Sequence, residues 1–344
     1  MMKINVPAQE LGEYQVRLMR DADAPGVVAL YRAIYGEHYP IKEMYDADYI
    51  IKQQEAEMMY RVIVADAAGN ILGHSGLYRL QGAYTGLYEG GQGMVRAEAR
   101  SKGFNNAIYS YIMQILLPAV GVEEIWGESV TNHVFMQKTA ISIGTKETGI
   151  ELELMPGESY EAEKSASGRV SAVVACACVK EKPHTVFLPA PYADILKKIY
   201  VHAKRDRQLK TAAGVLPQKV KTSYFDAFIA DAGVLRVFVH EAGADAGETM
   251  AGLVKKYLDA GAVVLQVFLP LNQPGSGALT EILNRLGFFF AAVAPRWFDA
   301  DGLLMQKLVN PANYDEIRLY SDFAKEMLQF IIEDRNRAEA LALI

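Results

Sequence analysis

Cysteine is scarce: 344 residues carry two, Cys176 and Cys178. Two thiols are too few for a structural zinc site, and no metal site is expected. The pair alternates with Ala175 and Ala177, which puts both thiols on one face of a strand. That arrangement makes a poor disulfide, so the expectation is two buried, reduced, structural thiols. Few disulfides suit the cytoplasm. No apolar run is long enough to span a bilayer, and the opening Met-Met-Lys-Ile-Asn-Val-Pro lacks the apolar core of a secretory leader. A cytoplasmic protein with no membrane partner is expected. Cations are not in excess either: 35 Lys and Arg face 41 Asp and Glu, for a net charge of −6. General attraction to nucleic acid is thereby excluded, although a few cations in one turn can still hold an anion.

Hydrophobic residues make up 51% of the chain and charged residues 22%, as in soluble globular proteins. The length exceeds one ordinary core, so two domains are expected. Three prolines within 183–191 break the pattern. They place the boundary between domains 1–182 and 183–344.

Periodicity predicts a strand at 15–19 and a helix carrying Val27, Val28, Leu30, Tyr31, Ile34 and Tyr35. An aromatic loop at 35–40 and a helix at 46–58 follow. A hairpin turn at 66–70 joins strands 61–65 and 71–80. Next come a strand at 84–95, a helix at 105–117 stopped by Pro118, a strand at 124–129 and a helix at 132–143 ended by Gly144. Paired strands at 145–155 and 170–180 flank a polar surface loop at 156–168. Beyond the boundary the prediction is helix 192–204, strand 235–240, helix 247–259, strand 263–269, helix 278–286, and strands 288–293 and 303–308. A last helix at 314–335 sets Ile317, Tyr320, Ala324, Leu328 and Ile331 near one face, packed on its own domain.

The most informative stretch is Val95-Arg-Ala-Glu-Ala-Arg-Ser-Lys-Gly-Phe-Asn105. A strand ends there in a short turn with Arg100, Lys102 and Gly103, and a helix starts at once. Unpaired amides at a helix start beside two cations bind phosphate. The two halves also repeat. Ile141-Ser-Ile-Gly144 matches Asn284-Arg-Leu-Gly-Phe288, and Asn132 matches Asn272. The C-terminal copy lacks the cationic turn; its segment 241–248 carries three acids and no cation, so it repels a pyrophosphate.

On these residues (Val95, Glu98, Arg100, Gly103, the strand at 125–129, Asn132, and the opening 16–23) the first domain resembles the GNAT family of acetyl-CoA-dependent N-acetyltransferases. The C-terminal domain resembles a degraded copy, most clearly at 286–290 and 301–306. The resemblance implies an α/β (α+β) fold of two GNAT-like domains, each a mixed, mostly antiparallel twisted sheet flanked by helices. It implies acetyl-CoA or another acyl-CoA as co-substrate, with the acyl group passing to an amine by direct attack in a ternary complex. Main-chain groups at Met94 and Val95 would hold the pantetheine arm. Arg100, Ser101, Lys102, Gly103, Phe104 and Asn105 would hold the pyrophosphate, and Asn132 would steady the arm unless it only caps a helix.

Glu89 and Glu128 are the leading candidates for the general base, each also readable as a surface carboxylate. His133 is a base or a neighbour of a helix cap. Tyr35, His38 and Tyr39 are expected at the substrate wall, Tyr31 and His74 in the core. Gly90, Gly91 and Gly93 suggest a bulge or a close approach. Two departures stand out. Asn105 replaces a small residue at the end of the phosphate pattern, and Ala140 replaces the usual Tyr that protonates the leaving thiolate. Both keep open another reading, a non-catalytic acyl-CoA sensor. A plain interaction scaffold is a third. A monomer or a homodimer fits the chain.

Overall fold

The computed structural model describes residues 4–160, 166 and 168–342. In the first half, strands β1 (Gln9–Leu11), β2 (Tyr14–Leu18), β3 (Met59–Asp66), β4 (Ile71–Arg79), β5 (Leu87–Val95), β6 (Glu124–Val130), β7 (Lys146–Met155) and β8 (Val170–Cys178) alternate with helices α1 (Ala24–Tyr35), α2 (Ala47–Glu55), α3 (Phe104–Tyr111), α4 (Leu117–Val120) and α5 (Phe135–Ser142). The second half contains β9 (His184–Leu188), α6 (Ala193–His202), β10 (Arg207–Thr211), β11 (Ser223–Ile229), β12 (Val234–Glu241), α7 (Ala246–Asp259), β13 (Val264–Pro270), α8 (Ser276–Arg285), β14 (Phe289–Ala294), β15 (Gly302–Leu308) and α9 (Asp322–Ala342). The fold is mixed α/β.

Thirteen strands form one sheet in the order β1-β2-β3-β4-β5-β6-β8-β7-β14-β15-β13-β12-β11, and β9 and β10 pair separately. The run β4-β5-β6-β8-β7 has its counterpart in β11-β12-β13-β15-β14. Each run contains one parallel pair, β5–β6 or β12–β13, among antiparallel neighbours. The halves meet where β14 joins β7, at Ala292 opposite Gly149. A Cβ on Gly149 would lie 2.2 Å from the Ala291 oxygen, so only glycine lets the backbones approach there. The sheet curls on itself. Trp126 of β6 meets Trp297 edge-on at 5.1 Å, and Trp297 stacks on Phe268 of β13 at 4.1 Å, although four strands separate β6 from β13 in the sheet. These buried aromatics fill the space between the halves.

Several expectations need correction. Pro118 does not stop its helix. The chain widens into a π turn at Ile112–Leu116 and continues to Val120, where Gly121 at φ 76° ends it. The wider turn accommodates a residue that has no N–H and crowds the preceding turn. The last helix starts at Asp322, not 314. Arg318 donates its N–H to the Thr131 oxygen (2.7 Å), and Tyr320 donates its N–H to Gln137 Oε1 (2.9 Å), so this stretch spends its backbone groups on the first half. α9 packs on α8, β14 and β7 and so touches both halves. The loop expected at 156–168 is only partly described, since 161–165 and 167 lie outside the described residues. Gly157–Tyr160 is a 3-10 turn with Ser159 and Tyr160 buried, which contradicts a surface loop. Cys176 is buried, but Cys178 is exposed at the strand end and donates its S–H to Glu181 (3.2 Å). Short strands β1, β9, β10 and β11 have no counterpart in the sequence reading. No helix among the described residues is long and apolar enough to cross a membrane.

Candidate active site

The parallel ladder between β5 and β6 stops after Leu87–Glu124, Tyr88–Ile125 and Glu89–Trp126. Beyond it the strands part, and a cavity of about 1090 Å³ opens between them, at the large end for ligand clefts. Gly90 to Val95 line one side, Gly127 to Val130 another, and the start of α3 and the inner face of α5 the rest. On its other edge β5 stays paired with β4, but an extra residue enters the ladder where Gly91 and Met94 oppose Gly76 and His74. Gln92 there has φ 55°, the mark of a bulge. Buried groups pin it. Ser75 donates to the Gly91 oxygen (2.9 Å), Tyr31 donates to the Gln92 side chain, and His74 Nδ1 meets the Gln92 oxygen at 3.0 Å. Burial, with Arg61 nearby, drives the His74 pKa down to about 3, so the ring is neutral.

The glycine run has a local cause as well. A Cβ at Gly91 would sit 3.1 Å from the Tyr78 hydroxyl and 3.2 Å from Glu89 Oε1, and one at Gly93 would sit 3.1 Å from the Tyr109 hydroxyl. Glycine there brings three polar side chains to the cleft.

At its far end the cleft meets the turn before α3. Arg100, Ser101, Gly103, Phe104 and Asn105 line it. Ser101 (φ 69°) and Gly103 (φ 78°) both adopt the left-handed region, and no side chain caps the helix start. The first-turn amides of α3 therefore remain available to an anion. Lys102 leaves this group: its ammonium donates to the Tyr14 hydroxyl (2.8 Å), and it does not line the cleft. Asn105 donates to Thr139 Oγ1 of α5 (3.2 Å), linking the two helices across the cleft mouth. Ala140 lines the cleft, as do Met94 and Val95.

Glu89 and Glu128 come together at the closed end. Glu89 is 6% exposed. Burial and then the Glu128 carboxylate push its pKa well above the usual range, while the Tyr78 hydroxyl and Arg236 pull the other way. Glu128 accepts from Trp126 Nε1 (2.9 Å) and from Arg236 Nη2 (2.9 Å), so it is an ion-paired carboxylate rather than a surface one. Glu151 lies behind it, fully buried, with its pKa raised by burial and by Glu128.

Asn132 and His133 line the cleft, but neither caps a helix. α5 starts at Phe135 with Val134 in the cap position, because Thr131 is tied to the Ser171 oxygen (2.9 Å) and the chain turns into its helix only afterwards. Tyr35 and Tyr39 line the cleft; His38 is exposed and does not. Tyr31 is fully buried. Sequence reading missed Tyr78, Tyr109, Glu151 and Arg236. Arg236 did carry a signal, as a lone cation in the apolar strand Val234-Leu-Arg-Val-Phe-Val239. No cluster of three or more metal-ligating side chains occurs among the described residues.

In the second half the matching region is filled by the chain itself. The segment between β10 and β11 crosses the starts of α7 and α8. The Ala213 oxygen accepts the N–H of Ala278 (3.1 Å), and Thr222 donates both N–H and Oγ1–H to Asp245 Oδ1 (2.8 Å each). Phe187 of β9 donates its N–H to the Leu271 oxygen just past β13 (2.7 Å).

No family model and no curated protein matches the chain. Solved structures do resemble it. The ribosomal-protein-S5-alanine acetyltransferase of Vibrio fischeri is 12% identical over 50% of this chain and 96% of its own, with a TM-score of 0.40. An N-acetyltransferase from Staphylococcus aureus Mu50 is 14% identical over 49% and 100%, with a TM-score of 0.41. The spermidine/spermine N-acetyltransferase SpeG of Vibrio cholerae is 16% identical over 48% and 92%, with a TM-score of 0.39. In each case about half of this chain resembles nearly all of an acetyltransferase in backbone shape.

Proposed function

We propose that the chain is an acyltransferase that moves an acetyl or other acyl group from acyl-CoA to an amine, in the cleft between β5 and β6. The observation that carries this is the splay itself: backbone from Gly90 to Val95 faces an open cleft that leads directly to the amides and Arg100 at the start of α3. Met94 and Val95 hold the pantetheine arm through their main-chain groups, the 100–105 turn holds the pyrophosphate, and Asn132 steadies the arm. Tyr35 and Tyr39 wall the acceptor. The closed end sets Glu89, Glu128 and Glu151 against the guanidinium of Arg236.

In its ionised form, populated as the pH rises through its raised folded-state value, Glu89 takes the proton the amine must lose, directly or through water. Its raised pKa brings it closer to that of the amine, as a general base requires. The amine nitrogen then bonds the acyl carbon and the carbon–sulfur bond breaks. Tyr109 supplies the proton to the departing thiolate in place of the tyrosine absent at Ala140 and regains one from the substrate nitrogen as the amide forms; burial raises its pKa and keeps the hydroxyl protonated. The two halves are two copies of one domain, 1–182 and 183–344, and the C-terminal one has lost its own cleft.

Calorimetry with CoA and acetyl-CoA, followed by thiol release with a panel of amines, tests the reading. Binding with thiol release supports it, and no affinity in folded protein refutes it. Binding without release for any amine favours the sensor reading, for which Ala140 and the Asn105–Thr139 bridge argue.

A further inference from the structure

Arg236 stands on β12 of the second half, yet its guanidinium ends among carboxylates of the first. Nη2 donates to Glu128 Oε1 on β6 (2.9 Å) and to Glu151 Oε1 on β7 (3.2 Å). Nε donates to Gln266 Oε1 (2.8 Å), and Gln266 in turn donates to Glu151 Oε1 (2.7 Å). Trp126 donates to the same oxygen of Glu128 (2.9 Å), so two donors hold the carboxylate whose charge acts on Glu89.

Stability alone gives little reason for this arrangement. Desolvating a guanidinium and two carboxylates offsets most of their attraction, and apolar replacements often leave such sites as stable or more so. The residues around Arg236 on β12 are apolar, and Phe238 joins the aromatic cluster that holds Trp126 and Trp297. A cation here is explained by what it holds.

We propose that Arg236 is a positioning residue of the acyl-transfer site: it fixes Glu128 behind Glu89, so the second half completes the acceptor end of the first half's cleft. The inference rests on the acyl-transfer reading of that cleft. The groups facing Glu89 are Tyr78 of β4, Tyr109 of α3, Tyr39 of the loop after α1, Glu128 of β6, Glu151 of β7 and Arg236 of β12. Of these, Arg236 supplies the positive charge. Its loss leaves Glu128 held only by Trp126 and leaves Glu89 facing carboxylates and tyrosines with no cation.

The test uses the full chain with R236Q, R236K and the double variant R236Q/E151Q. The readouts are CoA affinity, kcat and KM for the best amine of the panel, and the carboxyl 13C titration of Glu89. In R236Q, CoA affinity is expected to be unchanged, kcat/KM for the amine to fall about a hundredfold, and Glu89 to titrate higher by roughly one pH unit or more. R236K keeps the charge and is expected to hold the Glu89 titration near its original place, with partial recovery of kcat. Should R236Q not fold, the double variant removes one cation and one carboxylate together; it is expected to fold while kcat stays low, because Glu128 still lacks its guanidinium partner. Glu89 titrating in folded R236Q as in the unaltered protein, or full kcat in the double variant, overturns the role of Arg236. Because the titration is read with or without turnover, a failure of the acyl-transfer reading, seen as no thiol release from the unaltered protein, is told apart from a failure of this one.

Discussion

Between β5 and β6 the parallel ladder ends at Glu89–Trp126 and leaves Gly90 to Val95 facing an open cleft. Between β12 and β13 it runs on through five pairs to Phe238–Phe268, and the chain's own segments take the groups beyond. The two gaps lie at the same place in the same strand order. One is kept open at some expense of stability: a bulge with Gln92 in the left-handed region and a buried carboxylate with a raised pKa. The other was closed and made comfortable, with Ala213 and Thr222 set against the helix starts and acids in place of cations. Left-handed backbone at Gln92 and Ser101 and a buried carboxylate with a raised pKa thus meet where binding is proposed.

Two buried carboxylates, Glu89 in the first half and Asp301 in the second, behave in opposite senses, and Asp301 yields the largest effect. Asp301 is fully buried, accepts from Arg207 Nε (2.6 Å) and from the Arg296 N–H (3.0 Å), and pairs with His184. Despite the upward push of burial, these partners hold its pKa well below the usual range. A depressed pKa contributes stability above the unfolded-state value of about 4 and loses it as the pH falls. Asp301→Asn is therefore expected to destabilise the protein by about 3–5 kcal/mol at pH 7, with the difference shrinking below about pH 4. Urea unfolding across pH checks this, and an equal loss at all pH values would mean that charge is not the cause.

The phosphate turn can be contrasted with its silent counterpart. Gly103→Glu adds negative charge at the open turn and is expected to weaken CoA binding at least about a hundredfold. Gly247→Glu, at the start of α7, is expected to leave CoA affinity unchanged. Calorimetry with both folded variants decides it, and equal effects would remove the distinction between the copies.

A smaller effect concerns the thiolate. Tyr109→Phe is expected to lower kcat by about tenfold to a hundredfold with little change in CoA affinity, and Ala140→Tyr in that background to recover part of the loss. Unchanged turnover in Tyr109→Phe would assign the proton to water or another group.

Glu89 gives the smallest and most diagnostic signal. Its pKa is raised in the folded state, so the native protein holds a proton that the unfolded chain has released, and stability declines as pH rises from about 4.5 through the folded value. The slope is at most about 1.4 kcal/mol per pH unit. Glu89→Gln is expected to flatten this decline between pH 5 and 7 while reducing turnover. A pH–stability curve superimposable on that of the unaltered protein would show that Glu89 is charged in the fold.

Local chemistry made much of this legible in advance. Alternation marked β3, β4, β7 and β8, and the Gly-Asn turn marked a hairpin. The Arg100–Gly103 turn read as an anion site because its residues are neighbours in sequence. Glu89 and Glu128 were singled out, but not that they share one buried end, since one lies on β5 and the other on β6. Asn132 read as a residue that steadies the cofactor arm, caps a helix or does both; the tie at Thr131 moved the helix start three residues on and removed the cap. The stretch at 314–321 read as helical from its spacing, yet its backbone pairs with the first half.

By itself the amino-acid order determined the α/β alternation and pointed to the repeat and to the turn proposed to hold an anion, because each reading depends on local sequence. Folding decided which copy of the cleft stayed open, that one curled sheet unites both halves, and that Arg236 meets Glu128 across a separation of 108 residues. Those outcomes depend on how far strands splay and where the sheet bends. These are properties of packing between distant segments, and no local pattern encodes them.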